Sequence, residues 1–250
     1  MGVSAEPFTV TVLGCDGGYQ SPGGACSGYL LRAAGTCVLL DSGPGTLANL
    51  QRYVGIDALD AVVLSHEHPD HWGDLEGLAV ARRYGLAAAA ADQERARVLA
   101  PSGLREITYH CRGDAFCWDV VTDGSEERVG AFDLCFSRTD HGPETLAVRV
   151  GALGRRLVYS ADTGPAWELA ALGEGADLAL CEATFTKEHE GSALHLSGRQ
   201  AGRSARAARA RRLVVSHRWP TVSQAAVTAE ASEAFEGDVV AAAAGLTFEL

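Results

Sequence analysis

The stretch "VVLSHEHPDHWGD", residues 62–74, places three histidines and two acidic residues within positions 66–71, directly behind an apolar run. Side chains two positions apart on extended backbone point the same way, so His66 and His68 can meet at one point. The turn that follows lets Asp70 and His71 reach a second point. Imidazole and carboxylate together suit zinc and its first-row neighbours. The stretch therefore predicts a site for two metal ions, and a solvated polar loop is the alternative.

The composition predicts a soluble globular protein. The chain has 250 residues, 47% of them apolar, and a formal net charge of -11, which disfavours a large nucleic acid as partner. Seven cysteines without a C-x-x-C pair predict reduced, mostly buried thiols. The N-terminus lacks the pattern of a signal peptide and no apolar stretch reaches membrane-spanning length, so we expect a cytoplasmic protein with no membrane partner.

Strands and helices alternate along the chain, and we expect a single domain over residues 1–250. The first part predicts strands at 8–15, 28–43 (two strands joined at Ala34-Gly35), 59–65 and near 86–91, and helices at 46–55, 72–84 and 92–100. The middle, 104–160, has an antiparallel β character. The last part predicts helices near 166–172 and at 197–210 and 222–235, and strands at 177–183, 212–217 and the C-terminus. Two sheets with outer helices account for this order.

Three further polar residues stand directly behind β runs. They are His141 in "SRTDHGPETLAV", Asp162 in "LVYSADTGP" and His217 in "LVVSHRWP". Together with H-x-H-x-D-H at 66–71, these segments resemble the signature of the metallo-β-lactamase fold, and the resemblance extends over nearly the whole chain. It implies an α/β protein, namely an αββα sandwich of two mixed β-sheets with outer helices.

The resemblance also implies a complete set of ligands for two divalent metal ions. One ion would be held by His66, His68 and His141, the other by Asp70, His71 and His217, and Asp162 would bridge the two. Zinc is the expected ion, although manganese or iron fits the same nitrogen and oxygen ligands.

Two more residues refine what the resemblance implies. Asp41 in "LLDSGPGT" matches the D-x-G-x-G-T loop of the family, where the Asp lies behind the metal ions and orients ligand imidazoles. An ordinary turn Asp is the alternative. His68 stands where oxidoreductase members of the family carry an acid, which favours hydrolysis.

The segments "LCEATF" (180–185) and "HLSGRQAG" (195–202) resemble ribonuclease Z. In that group a Glu and a His lie beside the scissile phosphate, and the His donates a proton, so the resemblance assigns these roles to Glu182 and His195. Cys181 stands where the group has a His, and the hydroxyl of Ser197 is displaced by one position. A strand-end acid and a helix-capping polar residue are the alternative interpretation.

The substrate expected from this branch is small. Ribonuclease Z carries a basic arm for tRNA between its third His and its bridging Asp, but here only 21 positions separate His141 from Asp162, and a hairpin fills them. We therefore expect a phosphodiesterase acting on a cyclic nucleotide or a related small phosphodiester, and tRNA processing is disfavoured. The family mechanism implies attack by a hydroxide held between the metal ions, with Asp70 as ligand and base.

Two rivals remain open. A carboxylic ester, lactone or thioester hydrolase would use the same metal ions and would need His195 less. The second rival is a metal-binding scaffold that recognises a nucleotide without turning it over. Such a scaffold would be expected to lack some of the metal ligands, whereas this sequence has all of them. Dimers are common in the family, so the resemblance is compatible with a homodimer.

Several other features have weaker interpretations. Arg199, Arg203, Arg206, Arg209, Arg211 and Arg212 follow the predicted helix 197–210 and favour a solvated outer face over phosphate steering. His110, Cys111, Asp114 and Cys117 fit no zinc spacing, which favours structural cysteines over an accessory metal site. We expect the glycine-rich loop 16–29 to line the rim of the pocket, and residues 185–192, with His189, to form a surface loop or lid.

Overall fold

The computed structural model describes residues 6–85, 95–109 and 115–250. The strands in the first half are β1 (Thr9–Gly14), β2 (Gly28–Ala33), β3 (Thr36–Leu40), β4 (Ala61–Val63), β5 (Ala96–Ala100) and β6 (Phe116–Val120). Those in the second half are β7 (Glu126–Val129), β8 (Phe132–Arg138), β9 (Leu146–Ala152), β10 (Arg155–Tyr159), β11 (Leu178–Glu182), β12 (Arg212–Ser216), β13 (Asp238–Ala241) and β14 (Thr247–Glu249).

Six α-helices occur in the described ranges: α1 (Thr46–Leu50), α2 (Pro69–Trp72), α3 (Leu75–Tyr84), α4 (Leu104–Ile107), α5 (Gly198–Ala207) and α6 (Gln224–Phe235). Within those ranges, no helix combines the length and the apolar character that crossing a membrane requires.

The described strands form two seven-stranded mixed sheets. The first has the order β14-β1-β2-β3-β4-β5-β6 and the second β13-β12-β11-β10-β9-β8-β7. Strands β3 to β6 are parallel to one another, as are β10 to β13, whereas the remaining neighbours are antiparallel. Ligand sites of parallel sheets lie outside the carboxyl ends of their strands, so this topology already selects one edge of each sheet for a site.

The side-chain alternation of the strands produces three apolar layers. On β11, Leu178 and Leu180 face the core between the two sheets, while Ala179 and Cys181 face the helices on the other side. On β4, Val63 packs between the sheets and Val62 faces outward. Because successive side chains of a strand point to opposite faces, each central strand is apolar throughout. The expected αββα sandwich of two mixed sheets is confirmed.

Helices cover the outer faces of both sheets. The apolar side chains of α1 and α3 pack on the first sheet, and those of α5 and α6 pack on the second. A Cβ at Gly198 would lie 2.2 Å from the Val227 carbonyl oxygen, and one at Gly202 would lie 2.5 Å from that of Ala231. The glycines of α5 therefore allow its backbone to approach α6.

One predicted element is wrong and others differ in extent. The helix predicted for 92–100 is contradicted by β5, which pairs in parallel with β4 on one side and β6 on the other. Ala and Arg favour a helix locally, but pairing with two parallel neighbours decides the conformation. The helix predicted for 46–55 ends at Leu50, and that near 166–172 is a 3₁₀ helix at Leu169–Leu172. The strand predicted near 86–91 lies outside the described residues.

The core between the sheets should dominate stability. Leu31 is fully buried there, whereas Leu153, in the turn between β9 and β10, is 53% exposed. We expect Leu31→Ala to lower the free energy of unfolding by about 2–5 kcal/mol, because it removes buried surface and leaves a cavity. Leu153→Ala, the matched control, should change it by no more than about 0.5 kcal/mol. Urea unfolding followed by circular dichroism measures both, and equal effects would contradict the layer assignment.

Candidate metal centre

Strand ends bring the predicted site residues together. Asp41 follows β3, His66 and His68 follow β4, His141 follows β8, Asp162 follows β10, Glu182 ends β11 and His217 follows β12, while α2 carries Asp70 and His71. Five of these strands, β3, β4, β10, β11 and β12, have parallel neighbours. Their carboxyl ends converge at one side of the sandwich, which explains why residues far apart in sequence meet.

The first group of potential ligands contains His66, His68, His141 and Asp162, whose ligand atoms all lie within 4.8 Å of one another. His68 Nδ1 is 3.0 Å from His66 Nε2 and 3.3 Å from His141 Nε2. Asp162 Oδ2 is 3.5 Å from His66 Nε2. Ligand atoms of a tetrahedral zinc ion lie about 3.3 Å apart, because zinc–nitrogen bonds are about 2.0–2.1 Å long. The group has the spacing of a metal site.

The second group contains Asp70, His71 and His217. His217 Nε2 lies 3.2 Å from Asp70 Oδ2 and 3.3 Å from Asp162 Oδ1. His71 Nε2 lies 3.3 Å from the same Asp162 oxygen. The two oxygens of Asp162 therefore face different groups, Oδ2 the first and Oδ1 the second, as a bridging carboxylate would.

Two buried polar atoms at the centre test whether metal ions fit. Among the described residues, His71 Nε2 and Asp162 Oδ1 are buried and have no hydrogen-bond partner. Buried polar atoms without a partner are rare because their desolvation is then uncompensated. Both atoms have lone pairs directed into the space between the two groups, and a divalent cation there would compensate them. The donor set of imidazoles and carboxylates fits two such ions.

Asp41 lies behind this centre, fully buried. Its Oδ2 accepts hydrogen bonds from His71 Nδ1 at 2.7 Å, from the Tyr159 hydroxyl at 2.7 Å and from Ser65 Oγ at 2.9 Å. Its Oδ1 accepts from the Ser65 backbone N–H at 2.8 Å. A proton on His71 Nδ1 leaves Nε2 free to face the centre, so Asp41 fixes the tautomer and the orientation of this imidazole.

A second network holds His217. Thr184 Oγ1 lies 3.0 Å from His217 Nδ1 and donates to Glu182 Oε2 at 2.7 Å. The imidazole can therefore donate from Nδ1 to the hydroxyl and present Nε2 to Asp162. His141 is held similarly, because its Nδ1 lies 2.9 Å from the Leu194 carbonyl oxygen.

Glu182 and His195 are joined by a hydrogen bond. Glu182 is 1% exposed, and its Oε1 accepts a hydrogen bond from His195 Nδ1 at 2.9 Å. The same carboxylate accepts from the backbone N–H groups of Thr163 and Leu196. These bonds leave His195 Nε2 free, and a ligand atom of His195 lies within 4.8 Å of those of Asp162 and His217. His195 thus borders the centre with one nitrogen held and the other available.

Burial and charge shift the pKa values within the centre. Burial alone would lower the pKa of His71, but the carboxylates of Asp162 and Asp41 outweigh it and raise that pKa well above its usual value. Burial lowers the pKa of His66 and His68. Burial would raise the pKa of Asp162, but the neighbouring His217 and His71 hold it well below its usual value. Desolvation would lower the pKa of His195, yet Glu182 raises it to about 9.

Three residues near the centre adopt the left-handed backbone conformation that side chains with a Cβ rarely take. They are Asp41 (φ 57°), Ala161 (φ 51°) and His217 (φ 52°). Such conformations cost about 1–3 kcal/mol each and persist where the surrounding structure enforces them. They lie just after β3, β10 and β12, so the chain turns where Asp41, Asp162 and His217 join the centre.

Ser65, Tyr159 and Thr184 take part in the site although the sequence does not single them out. Tyr159 reaches Asp41 from 118 positions along the chain. Ser65 Oγ also lies 3.0 Å from His66 Nδ1. Ser65 directly precedes the histidine cluster, which is the one local signal that points to it.

The weaker expectations have mixed outcomes. The Gly18 N–H in loop 16–29 donates to Asp70 Oδ2 at 2.7 Å, so this loop borders the centre. Arg199 pairs with Glu190, Arg206 with Glu236 and Arg212 with Asp238, an arrangement typical of a charged outer face. Cys117 is an exposed free thiol, and its expected companions at 110–114 lie outside the described residues.

Comparison with known proteins gives a consistent result. The family model described as "Beta-lactamase superfamily domain" matches residues 36–218. An uncharacterised protein of Mycobacterium leprae is 38% identical over 96% of this chain and 88% of its own length. YhfI of Bacillus subtilis, named a "probable metallo-hydrolase", is 31% identical over 96% of this chain and 99% of its own. Ribonuclease Z of Myxococcus xanthus is 29% identical over 90% of this chain and 92% of its own length.

Solved structures agree with the sequence comparisons. The crystal structure of the metallo-β-lactamase fold protein YhfI has a TM-score of 0.89 at 29% identity, covering 98% of this chain and all of that one. The short form of human tRNase Z has a TM-score of 0.77 at 21% identity, with coverage of 96% and 98%, and this likeness concerns the fold alone.

The role of Asp41 gives a test of the centre. Asp41→Asn should weaken Zn²⁺ affinity about 10–100-fold, because the amide cannot accept from all the donors that now face the carboxylate. Competition against a chromophoric chelator measures this affinity. The matched control is Asp57→Asn, at an exposed turn, which should leave it unchanged. Unaltered affinity in Asp41→Asn, with a native circular dichroism spectrum, would show that Asp41 does not support the ligands.

Proposed function

The chain belongs to the metallo-β-lactamase superfamily of metal-dependent hydrolases, and within it we propose a phosphodiesterase that cleaves a small phosphodiester such as a cyclic nucleotide. In this proposal His66, His68 and His141 would hold one divalent metal ion, Asp70, His71 and His217 would hold the second, and Asp162 would be shared by both. Zinc is the proposed ion. When bound, two such ions lower the pKa of water and offset the negative charge of a phosphoryl group.

The observation that carries the proposal is the Glu182–His195 pair at the edge of the centre. When a phosphodiester is cleaved, the P–O bond to the leaving alcohol breaks, and the departing oxygen needs a proton. His195 can supply it from Nε2, because Nδ1 is engaged with Glu182 at 2.9 Å. The Glu182 carboxylate favours the imidazolium form that such a donor requires.

Asp70 is suited to the attacking side of the reaction. Its Oδ2 lies 3.6 Å from His71 Nε2 and 3.2 Å from His217 Nε2. The Gly18 N–H donates to the same oxygen and fixes the carboxylate in place. We propose that Asp70 is a metal ligand and also accepts a hydrogen bond from the attacking water. It would thereby orient the water and take its proton as the new P–O bond forms.

The small size of the substrate has two supports. Residues 141–162 are all described, and between the proposed ligands His141 and Asp162 they consist of the β9–β10 hairpin and short connections. The net charge of -11 opposes the broad attraction that tRNA needs. The likeness to ribonuclease Z of Myxococcus xanthus supports phosphodiester chemistry, and the compact hairpin and acidic charge favour a smaller diester.

The experiment compares diesters that need the proton donor to different degrees. We expect His195→Ala to reduce turnover of 2′,3′- or 3′,5′-cyclic nucleotides by about 100-fold or more, because their alkoxide leaving groups depend on protonation. Turnover of bis(p-nitrophenyl) phosphate should fall much less, since nitrophenolate leaves as a stable anion. Initial rates at saturating Zn²⁺ or Mn²⁺ give both numbers.

The control is Arg128→Ala, at an exposed side chain of the edge strand β7, which should leave both rates near those of the wild type. If His195→Ala reduces the turnover of cyclic nucleotides and of bis(p-nitrophenyl) phosphate by the same factor, His195 is not the proton donor. If the wild-type protein hydrolyses lactones or thioesters but no diester, the phosphodiesterase proposal is wrong.

A further inference from the structure

We propose that the substrate carries a planar heterocyclic base and that Tyr19, Phe185 and Trp219 form the surface on which this base stacks. We call these three side chains the ring wall. The inference rests on the proposed phosphodiesterase function and narrows it from small diesters in general to nucleotides.

The ring wall is continuous with the metal centre. The Phe185 ring lies 6.0 Å from the His195 imidazole, centroid to centroid, with the two rings near perpendicular. The centroid of the Phe185 ring also lies 6.3 Å from that of the Trp219 ring. Trp219 in turn contacts Tyr19 edge to face at 5.5 Å. A group attached to a phosphate beside His195 would therefore meet aromatic rings directly.

Backbone contacts hold Trp219 in a fixed position relative to the proposed ligands. A Cβ at Gly18 would lie 2.5 Å from Trp219 Cζ3, so the indole packs directly on this glycine, whose φ is +74°. The Gly18 N–H is the same group that donates to Asp70 Oδ2. A ring fixed beforehand stacks with less loss of entropy on binding.

Arg218 fixes the chain that carries the indole. Its guanidinium donates to the backbone carbonyls of Trp219 and Pro220, at 2.9 and 3.0 Å, and to that of Val222. The backbone N–H of Trp219 donates to the Thr184 carbonyl at 3.2 Å, and the Thr184 hydroxyl donates to Glu182. The ring wall is thus tied to both the ligand side and the proton-donor side of the centre.

The free end of the ring wall is exposed. Tyr19 is 44% accessible to solvent, so a ligand can reach its ring. Bases stack on aromatic side chains whatever their sequence, because each base has a π face. Three rings offer too little area for a stable protein interface, which buries on the order of 800 Å² per partner. A base linked by a sugar to the reacting phosphate is the occupant that this size and position favour.

The test compares a substrate that has a base with one that lacks it. The probes are adenosine cyclic phosphate, 2′,3′ or 3′,5′ as the wild type prefers, and glycerol 1,2-cyclic phosphate. Tyr19→Ala and Trp219→Leu should each reduce the ratio of kcat/KM values, nucleotide over glycerol diester, by about 5- to 100-fold, mainly through the KM of the nucleotide. Tyr19→Phe keeps the ring and should retain the ratio within about 2-fold.

Tyr84→Ala is the matched control at a distant exposed tyrosine, 67% accessible at the end of α3, and should not alter the ratio. Binding gives a readout that does not depend on turnover. Titration of adenosine 5′-monophosphate into the Zn²⁺-loaded protein should quench indole fluorescence, and Trp219→Phe should abolish that quenching while the other three tryptophans remain.

The outcomes separate this inference from the function on which it rests. If neither diester is hydrolysed, the proposed function fails. If both diesters are hydrolysed but the wild type does not prefer the nucleotide, or the Tyr19 and Trp219 variants lower both rates equally, the ring wall does not bind a base. Quenching that persists in Trp219→Phe would also overturn the inference.

Discussion

The position of the Asp162 carboxylate imposes the main constraint on this molecule. It is buried, its two oxygens face different groups of imidazoles, and Oδ1 accepts no hydrogen bond from the described residues. A buried carboxylate in such surroundings is costly unless positive charge lies beside it. Divalent cations held by the two groups would supply that charge and would displace protons from the ligands on binding.

The sandwich is arranged to make this convergence possible. Each sheet contributes the carboxyl ends of parallel strands, and the left-handed residues behind β3, β10 and β12 turn the chain at the point where the side chains must meet. Asp41 and Glu182 then fix imidazoles from behind, each accepting four hydrogen bonds. Folding free energy from the apolar layers sustains the strained and desolvated groups of the centre.

Much of the centre can be predicted from the sequence, because His66 and His217 stand close behind apolar runs and the segment 66–71 adds His68, Asp70 and His71. The strand character of the segments before His66, His141 and His217 is local, but their convergence is what the family resemblance implies, since β8, which precedes His141, is antiparallel to both of its neighbours. Tyr159 and Thr184 cannot be found this way, since their contacts depend on the register of strands distant in sequence. The helix predicted for residues 92–100 is wrong for a related reason, because pairing with two parallel strands outweighs the local helical preference.

The most direct test of the account is the metal content of the purified protein. After equilibration with Zn²⁺ and removal of free metal, elemental analysis should find about two equivalents per chain, and Asp162→Asn, which keeps the shape but removes the shared charge, should hold fewer. Negligible metal in the folded wild-type protein, also after equilibration with Mn²⁺ or Fe²⁺, would contradict the central claim.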